Sequence, residues 1–221
     1  MNGQMENNNN ISYLPFMVIY ITSAVVFMAV KIFGLTGSFV IKVIPALSLS
    51  LAILFTRPMK SSHRIAMLTG ALFCGAGDVI LDIDRVRFFV PGLAAFLLGH
   101  IGFLALFWMR RSFAGSRRVW VITVMLVAIT MAIILIPRLG PLMAPVLAYL
   151  AVITIMTVLA IMSDVRPMAA AGAGLFMLSD ALLALAKFVF NGQPSPLFTI
   201  PVYFVGLFLL SFGILLSVRP K

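Results

Sequence analysis

Eight stretches of about twenty almost unbroken apolar residues run through this chain, at roughly 14–33, 37–55, 65–82, 88–109, 118–136, 142–162, 168–188 and 199–217. That length matches a hydrocarbon core about 30 Å thick crossed at 1.5 Å per residue. Backbone facing lipid must satisfy its own hydrogen bonds, so each stretch is expected to be a helix; barrel strands would be shorter and would alternate polar with apolar. Only 10% of the residues are charged and the mean hydropathy is +1.16, which excludes an ordinary soluble domain. The net charge of +10 does not point to nucleic acid, because the basic residues fall between the apolar runs and not in one patch. The expected fold is all-α, a polytopic membrane bundle of eight transmembrane helices.

The breaks between runs carry their own signals. Gly34 and Gly37 bracket the first, Arg57-Pro58 and Lys60 make the second, four arginines the fourth, Pro137 to Pro141 the fifth and Asn191 to Pro196 the seventh. No loop is long enough to be a soluble domain, so any chemistry comes from the helices and their short connections. One set of segments carries Arg57, Lys60, Arg64, Arg110, Arg111, Arg117, Arg118, Arg166, Arg219 and Lys221; the opposite loops carry Arg85, Arg87 and Arg138. The positive-inside rule then places both termini in the cytoplasm. Residues 1–13 read as a polar, disordered tail, because MNGQMENNNN lacks the basic region of a cleavable signal; 14–217 form the membrane domain and 218–221 a basic tail. The single cysteine, Cys74, lies in an apolar run and reads as a packing thiol.

Against this background the stretch GDVILDIDRVRFF, 77–89, is anomalous. It holds Asp78, Asp82 and Asp84, three of the chain's six acidic residues. A carboxylate at the bilayer centre costs about 2.5–3.5 kcal/mol on insertion scales, and such residues face the bundle interior and mark a site. Asp78 falls about 20 Å from the cytoplasmic start of its run and Asp180 about 18 Å along the seventh, at 1.5 Å per residue. Lys42, Tyr149 and Tyr203 fall in the same outer half, and His100 near mid-depth in FLLGHIGF, where Gly99 and Gly102 allow close helix approach. These residues are expected to line one cavity open to the outer side. Asp82, one turn beyond Asp78 on the same face, stands at its water boundary, and Lys187, at the end of the seventh run, either meets a lipid phosphate or anchors the helix end, the second reading being favoured. A structural alternative is a polar clasp between helices, with Asp180 on Lys42. Asp84, Arg85 and Arg87 read as a solvated turn. Pro45 and Pro145 are expected to kink their helices and free carbonyls toward the cavity.

A faint internal echo accompanies the two acids. Residues 69–88 laid on 171–190 match at Gly70/Gly172, Ala71/Ala173, Asp78/Asp180, Leu81/Leu183 and Phe88/Phe190. A parallel four-plus-four repeat would set the carboxyls at equal depth. No Walker loop, HExxH, CxxC or GxSxG occurs, which removes the soluble-enzyme classes those motifs mark. Buried Asp and Lys also suit a proton-coupled transporter, though a transporter needs access from both sides and the cytoplasmic halves of the runs are nearly free of ionisable groups. A lipid-binding scaffold without turnover is the third class.

Lys42-Val-Ile-Pro45, Gly77-Asp78 leading to Phe96-Leu-Leu-Gly-His100, Tyr149 with Met156, and GLFMLSDALLALAKF (174–188) together resemble the YhhN family of membrane proteins, the lysoplasmalogenases. The resemblance implies hydrolysis of the vinyl-ether bond of lysoplasmalogens to a fatty aldehyde and glycerophosphoethanolamine or glycerophosphocholine. It carries the catalytic roles to Asp78 and Asp180. Protonation of the β-carbon gives an oxocarbenium ion that water then traps, so the reaction needs one protonated acid and one carboxylate. Two carboxyls in a dry cleft can divide those roles. Asp180, deepest in apolar sequence, is assigned the acid and Asp78 the base; Lys42, His100, Tyr149, Tyr203, Asp82 and Lys187 are assigned to substrate binding. No metal or cofactor is called for. The expected partners are a lysophospholipid substrate and membrane lipid, not nucleic acid, and the short loops point to a bacterial inner membrane.

Overall fold

The computed structural model describes residues 12–35, 37–112, 117–190 and 196–218. Among them run nine α-helices: α1 (Leu14–Ile32), α2 (Phe39–Lys42), α3 (Ile44–Phe55), α4 (Ser61–Ile83), α5 (Phe89–Met109), α6 (Arg118–Leu135), α7 (Met143–Ile161), α8 (Pro167–Phe188) and α9 (Pro196–Val218). Seven are long and apolar enough to cross a bilayer, while α2 and α3 form a shorter apolar unit, Phe39–Phe55. That unit covers about 25 Å at 1.5 Å per residue. The polytopic bundle expected from the apolar runs is present, with eight as an approximate count: seven full spans and one short, broken one.

The break has a chemical cause. Pro45 sits in the first turn of α3; it has no N–H to give the Ile41 carbonyl, and its ring crowds that carbonyl. The helix therefore ends at Lys42 and restarts at Ile44. Pro145 behaves differently from the expectation. It lies in the first turn of α7, where a backbone N–H needs no partner, and α7 runs on without a break. Pro201, by contrast, lies inside α9. The turn from α1 to α2 uses left-handed backbone at Gly34 (φ 66°) and Gly37 (φ 77°), conformations that cost glycine nothing.

Two helix pairs are the closest in the bundle, α4 with α5 and α8 with α9. Both depend on glycine. A β-carbon at Gly102 would lie 2.6 Å from the Gly70 nitrogen, and one at Gly172 only 2.1 Å from the Leu210 nitrogen. Between lipid-bathed helices such contact replaces the hydrophobic drive that operates in water. Within the bundle, α9 is central, with 67% of its spanning window buried, while α1 and α6 are peripheral at 17%. The outer belt is apolar, including Val25, Trp120, Ile122, Leu126 and Ile133, as a lipid-facing surface requires.

The two ends of the bundle differ in charge. At one end Arg110 pairs with Asp164 (Nε–Oδ1 2.8 Å), and Arg117 donates to the carbonyls of Ile161 and Ser163. Arg64 donates to the Thr56 carbonyl, satisfying the end of α3. Both ends of the described chain lie here: Tyr13 is buried, bonds Thr56 Oγ1 at 3.0 Å and packs edge-on against Phe212. Tyr13 is thus not part of a free tail, as the sequence led us to expect. Residues 1–11 of that tail, and Arg219 and Lys221 of the basic C-terminal tail, lie outside the described residues. Asp78, Asp82, Asp84 and Asp180 lie toward the opposite end.

Candidate active site

Asp78, in α4, is 2% exposed. Two helices bring it partners. Lys42, the last residue of α2, places Nζ 3.1 Å from Asp78 Oδ1 and donates to the Asp78 carbonyl at 3.3 Å. Tyr203, in α9, donates its hydroxyl to Asp78 Oδ2 at 2.6 Å. The proline break thus has a functional result, because it sets the end of α2 against α4 with Lys42 aimed inward.

Asp180, in α8, is held differently. Tyr149 of α7 donates to its Oδ2 at 2.6 Å, and His100 Nε2 of α5 stands 3.8 Å from the same oxygen. No Lys or Arg lies within 4 Å of it among the described residues. His100 is fully buried and neither of its ring nitrogens makes a hydrogen bond in the described residues. Its ring stands edge-on to Tyr149 and Phe176, and Phe176 in turn to Tyr203. This aromatic bridge links the partners of the two acids.

Both carboxyls line one polar cleft with a tight interior of ≈ 50 Å³, together with Lys42, Arg85, Ser179 and Tyr203. Asp180 also lines a second space, an apolar groove of ≈ 60 Å³ interior whose walls include Phe89, Met131, Leu135, Ile153 and Phe188. Leu81, Phe96 and Leu183 are likewise shared by the two. Asp180 therefore sits at the junction of a polar chamber and an apolar one. A third, wider crevice at the basic end, lined by Arg117, Trp120 and Thr157, holds no carboxylate or histidine.

Of the residues expected at the site, Asp78, Asp180, Lys42 and Tyr203 line the cleft, while Tyr149 and His100 reach it through Asp180. Lys42 is engaged by Asp78 and not by Asp180. Two residues stand apart from both cavities. Asp82 is bound by Lys31 (Nζ–Oδ1 2.7 Å) and accepts from the Ser38 hydroxyl, so it latches α1 and α2 to α4. Lys187 Nζ lies 4.0 Å above the Phe89 ring. Within the supposed solvated turn, Asp84 accepts from the Val86 and Arg87 backbone, but Arg85 turns inward to line the cleft. Among the described residues no group of three or more His, Cys, Asp or Glu is placed to hold a metal ion.

Compared with known proteins, residues 37–214 match the family model described as the YhhN family. No curated protein matches, and no solved structure matches.

Proposed function

With the match running from just before α2 almost to the end of α9, this chain belongs to the YhhN family, and from that premise we propose that it is a lysoplasmalogenase, a membrane hydrolase of vinyl-ether lysophospholipids. The observation that carries the reading is the inequality of two carboxyls on one cleft. Asp78 has a cation and a phenol donating to it, the environment of a carboxylate. Asp180 has no cation and borders the apolar groove, the environment of a neutral acid.

The substrate's two halves suit the two chambers. The glycerophospho headgroup occupies the polar cleft and the alkenyl chain the groove, which brings the vinyl ether to Asp180. Asp180 gives its proton to the β-carbon of the double bond. The electron pair of that bond forms the new C–H bond, and positive charge is shared between the α-carbon and the ether oxygen. Water adds to the α-carbon and loses a proton to Asp78, whose charge also stabilises the cation. The hemiacetal passes its hydroxyl proton to the departing glycerol oxygen as the C–O bond breaks, giving a fatty aldehyde and a glycerophosphodiester. The proton held by Asp78 returns to Asp180 to close the cycle. Lys42 and Tyr203 keep Asp78 ionised and oriented, and Tyr149 and His100 position Asp180. We assign the protein to a bacterial inner membrane, with the arginine-rich end in the cytoplasm.

The test is aldehyde release from 1-alkenyl lysophosphatidylethanolamine by the purified protein. Asp78→Asn and Asp180→Asn are each expected to lower turnover by about 10³-fold or more, as loss of an acid or base does, while the protein stays monodisperse. Wild-type rates in both Asn variants would refute the mechanism. Movement of the lipid or of protons across sealed vesicles without aldehyde would identify a transporter instead.

A further inference from the structure

Arg85 follows the last turn of α4 and lines the cleft beside Lys42, Asp78 and Tyr203. Among the described residues no hydrogen bond or ion pair holds its guanidinium, and every acid near it is already committed. Asp82 is bound by Lys31 and Ser38, Asp78 by Lys42 and Tyr203, and Asp84 by the backbone of the turn. The remaining acids of the described residues do not supply a partner: Asp164 pairs with Arg110 at the other end, and Asp180 has no arginine within 4 Å. Residues 191–195, NGQPS, contain no acid at all.

Burial strips water from Arg85 and pushes its pKa below the ordinary arginine value, with Asp82 and Asp78 opposing that from beyond ion-pair distance. A partly desolvated guanidinium with five donors and no acceptor is an anion site waiting for a planar or tetrahedral oxyanion. Lys42 cannot serve instead, since Asp78 occupies it on two oxygens. Arg85 lies in the turn just beyond α4, toward the end of the bundle, and its side chain lines the cleft.

We propose that Arg85 binds the phosphate of the lipid headgroup, which makes the cleft selective for phosphate-bearing single-chain amphiphiles over neutral ones. This deepens the reading above and rests on it for which part of the substrate lies in the cleft. The three-carbon glycerol unit is the spacer between this phosphate and the bond at Asp180. Selectivity thus comes from a residue remote from the reacting carbon, while Asp78 and Asp180 act on a linkage that phosphate-free alkenylglycerols share.

The test separates binding from turnover. The ligands are a saturated alkyl-ether lysophosphatidylethanolamine, which has no vinyl bond to cleave, and the matching alkylglycerol without phosphate, with affinities measured on protein in nanodiscs. Arg85→Gln is expected to weaken the phospholipid by about ten-fold or more, the loss of a charge-assisted contact, and to collapse its preference over the alkylglycerol. Arg85→Lys should restore part of that preference, because a point charge remains without the fork. Equal weakening of both ligands would mean Arg85 only packs, and no weakening would mean the phosphate lies elsewhere; either outcome overturns the proposal. If inorganic phosphate binds the wild type at millimolar concentration through Arg85 but leaves the lipid bound, the site serves free phosphate and the headgroup assignment falls; displacement of the lipid that is lost in Arg85→Gln supports it. Selective loss of phospholipid binding in a protein that releases no aldehyde would refute the hydrolase reading alone.

Discussion

Replacing Lys42 by Met removes the only cation within 4 Å of Asp78 among the described residues. A buried carboxylate stripped of its partner costs about 3 kcal/mol, so Lys42→Met should lower thermal stability by that order in detergent as well as abolish turnover. Tyr203→Phe and Tyr149→Phe each remove a 2.6 Å donor, from Asp78 and Asp180 respectively. Each is expected to cut kcat by about ten-fold or more, the worth of one hydrogen bond to a charged or reacting group; a loss confined to KM would show that the phenols contact the lipid instead of the acids. The acids themselves were legible in the sequence because a carboxyl inside an apolar run has so few explanations. Their partners were legible only as depths, and depth did not say which acid Lys42 would meet. Arg85 was missed because a basic residue beside two acids in a turn looks solvated until the course of the chain beyond Ile83 is known.

At the scale of elements, the short helix α2 carries the lysine and is too small to hold itself in place. The Lys31–Asp82–Ser38 latch does so from the neighbouring turn. Lys31 is partly exposed, so Lys31→Met and Asp82→Asn should each destabilise by about 1 kcal/mol or less. Combined, they should cost less than their sum, because both open one contact; additive losses in thermal unfolding would show that the latch does not act as a unit. The helix pairs are less forgiving. Gly172→Leu must part α8 from α9 at Leu210, and its expected outcome is loss of the monodisperse peak in size-exclusion chromatography. The faint sequence echo has a counterpart here. Gly70 and Gly172 each lie at the crossing of a tight pair, and Asp78, Asp180, Leu81 and Leu183 all line the cleft. Apolar length and proline position gave most helix boundaries. The join at Val43 was not readable, since Pro45 alone predicts a kink somewhere in the preceding turn and not a fresh helix.

For the molecule as a whole, charge orients a bundle whose two ends carry different chemistry. With Cys74→Ala as background, Arg111→Cys should react with an impermeant thiol reagent only from the cytoplasmic side and Arg87→Cys only from the other. Labelling from the same side would break the eight-pass topology. The junction at Asp180 has one more consequence. The groove is walled on one side by Met131 and Leu135 of α6, one of the two helices least enclosed by protein, whereas the cleft meets the end of the bundle at Arg85. On the proposed reading, cleavage at that boundary sorts the two fragments as it makes them. The aldehyde leaves sideways past α6 and stays dissolved in the membrane, available to oxidising or reducing enzymes embedded there, while the diester washes out into the aqueous compartment beyond.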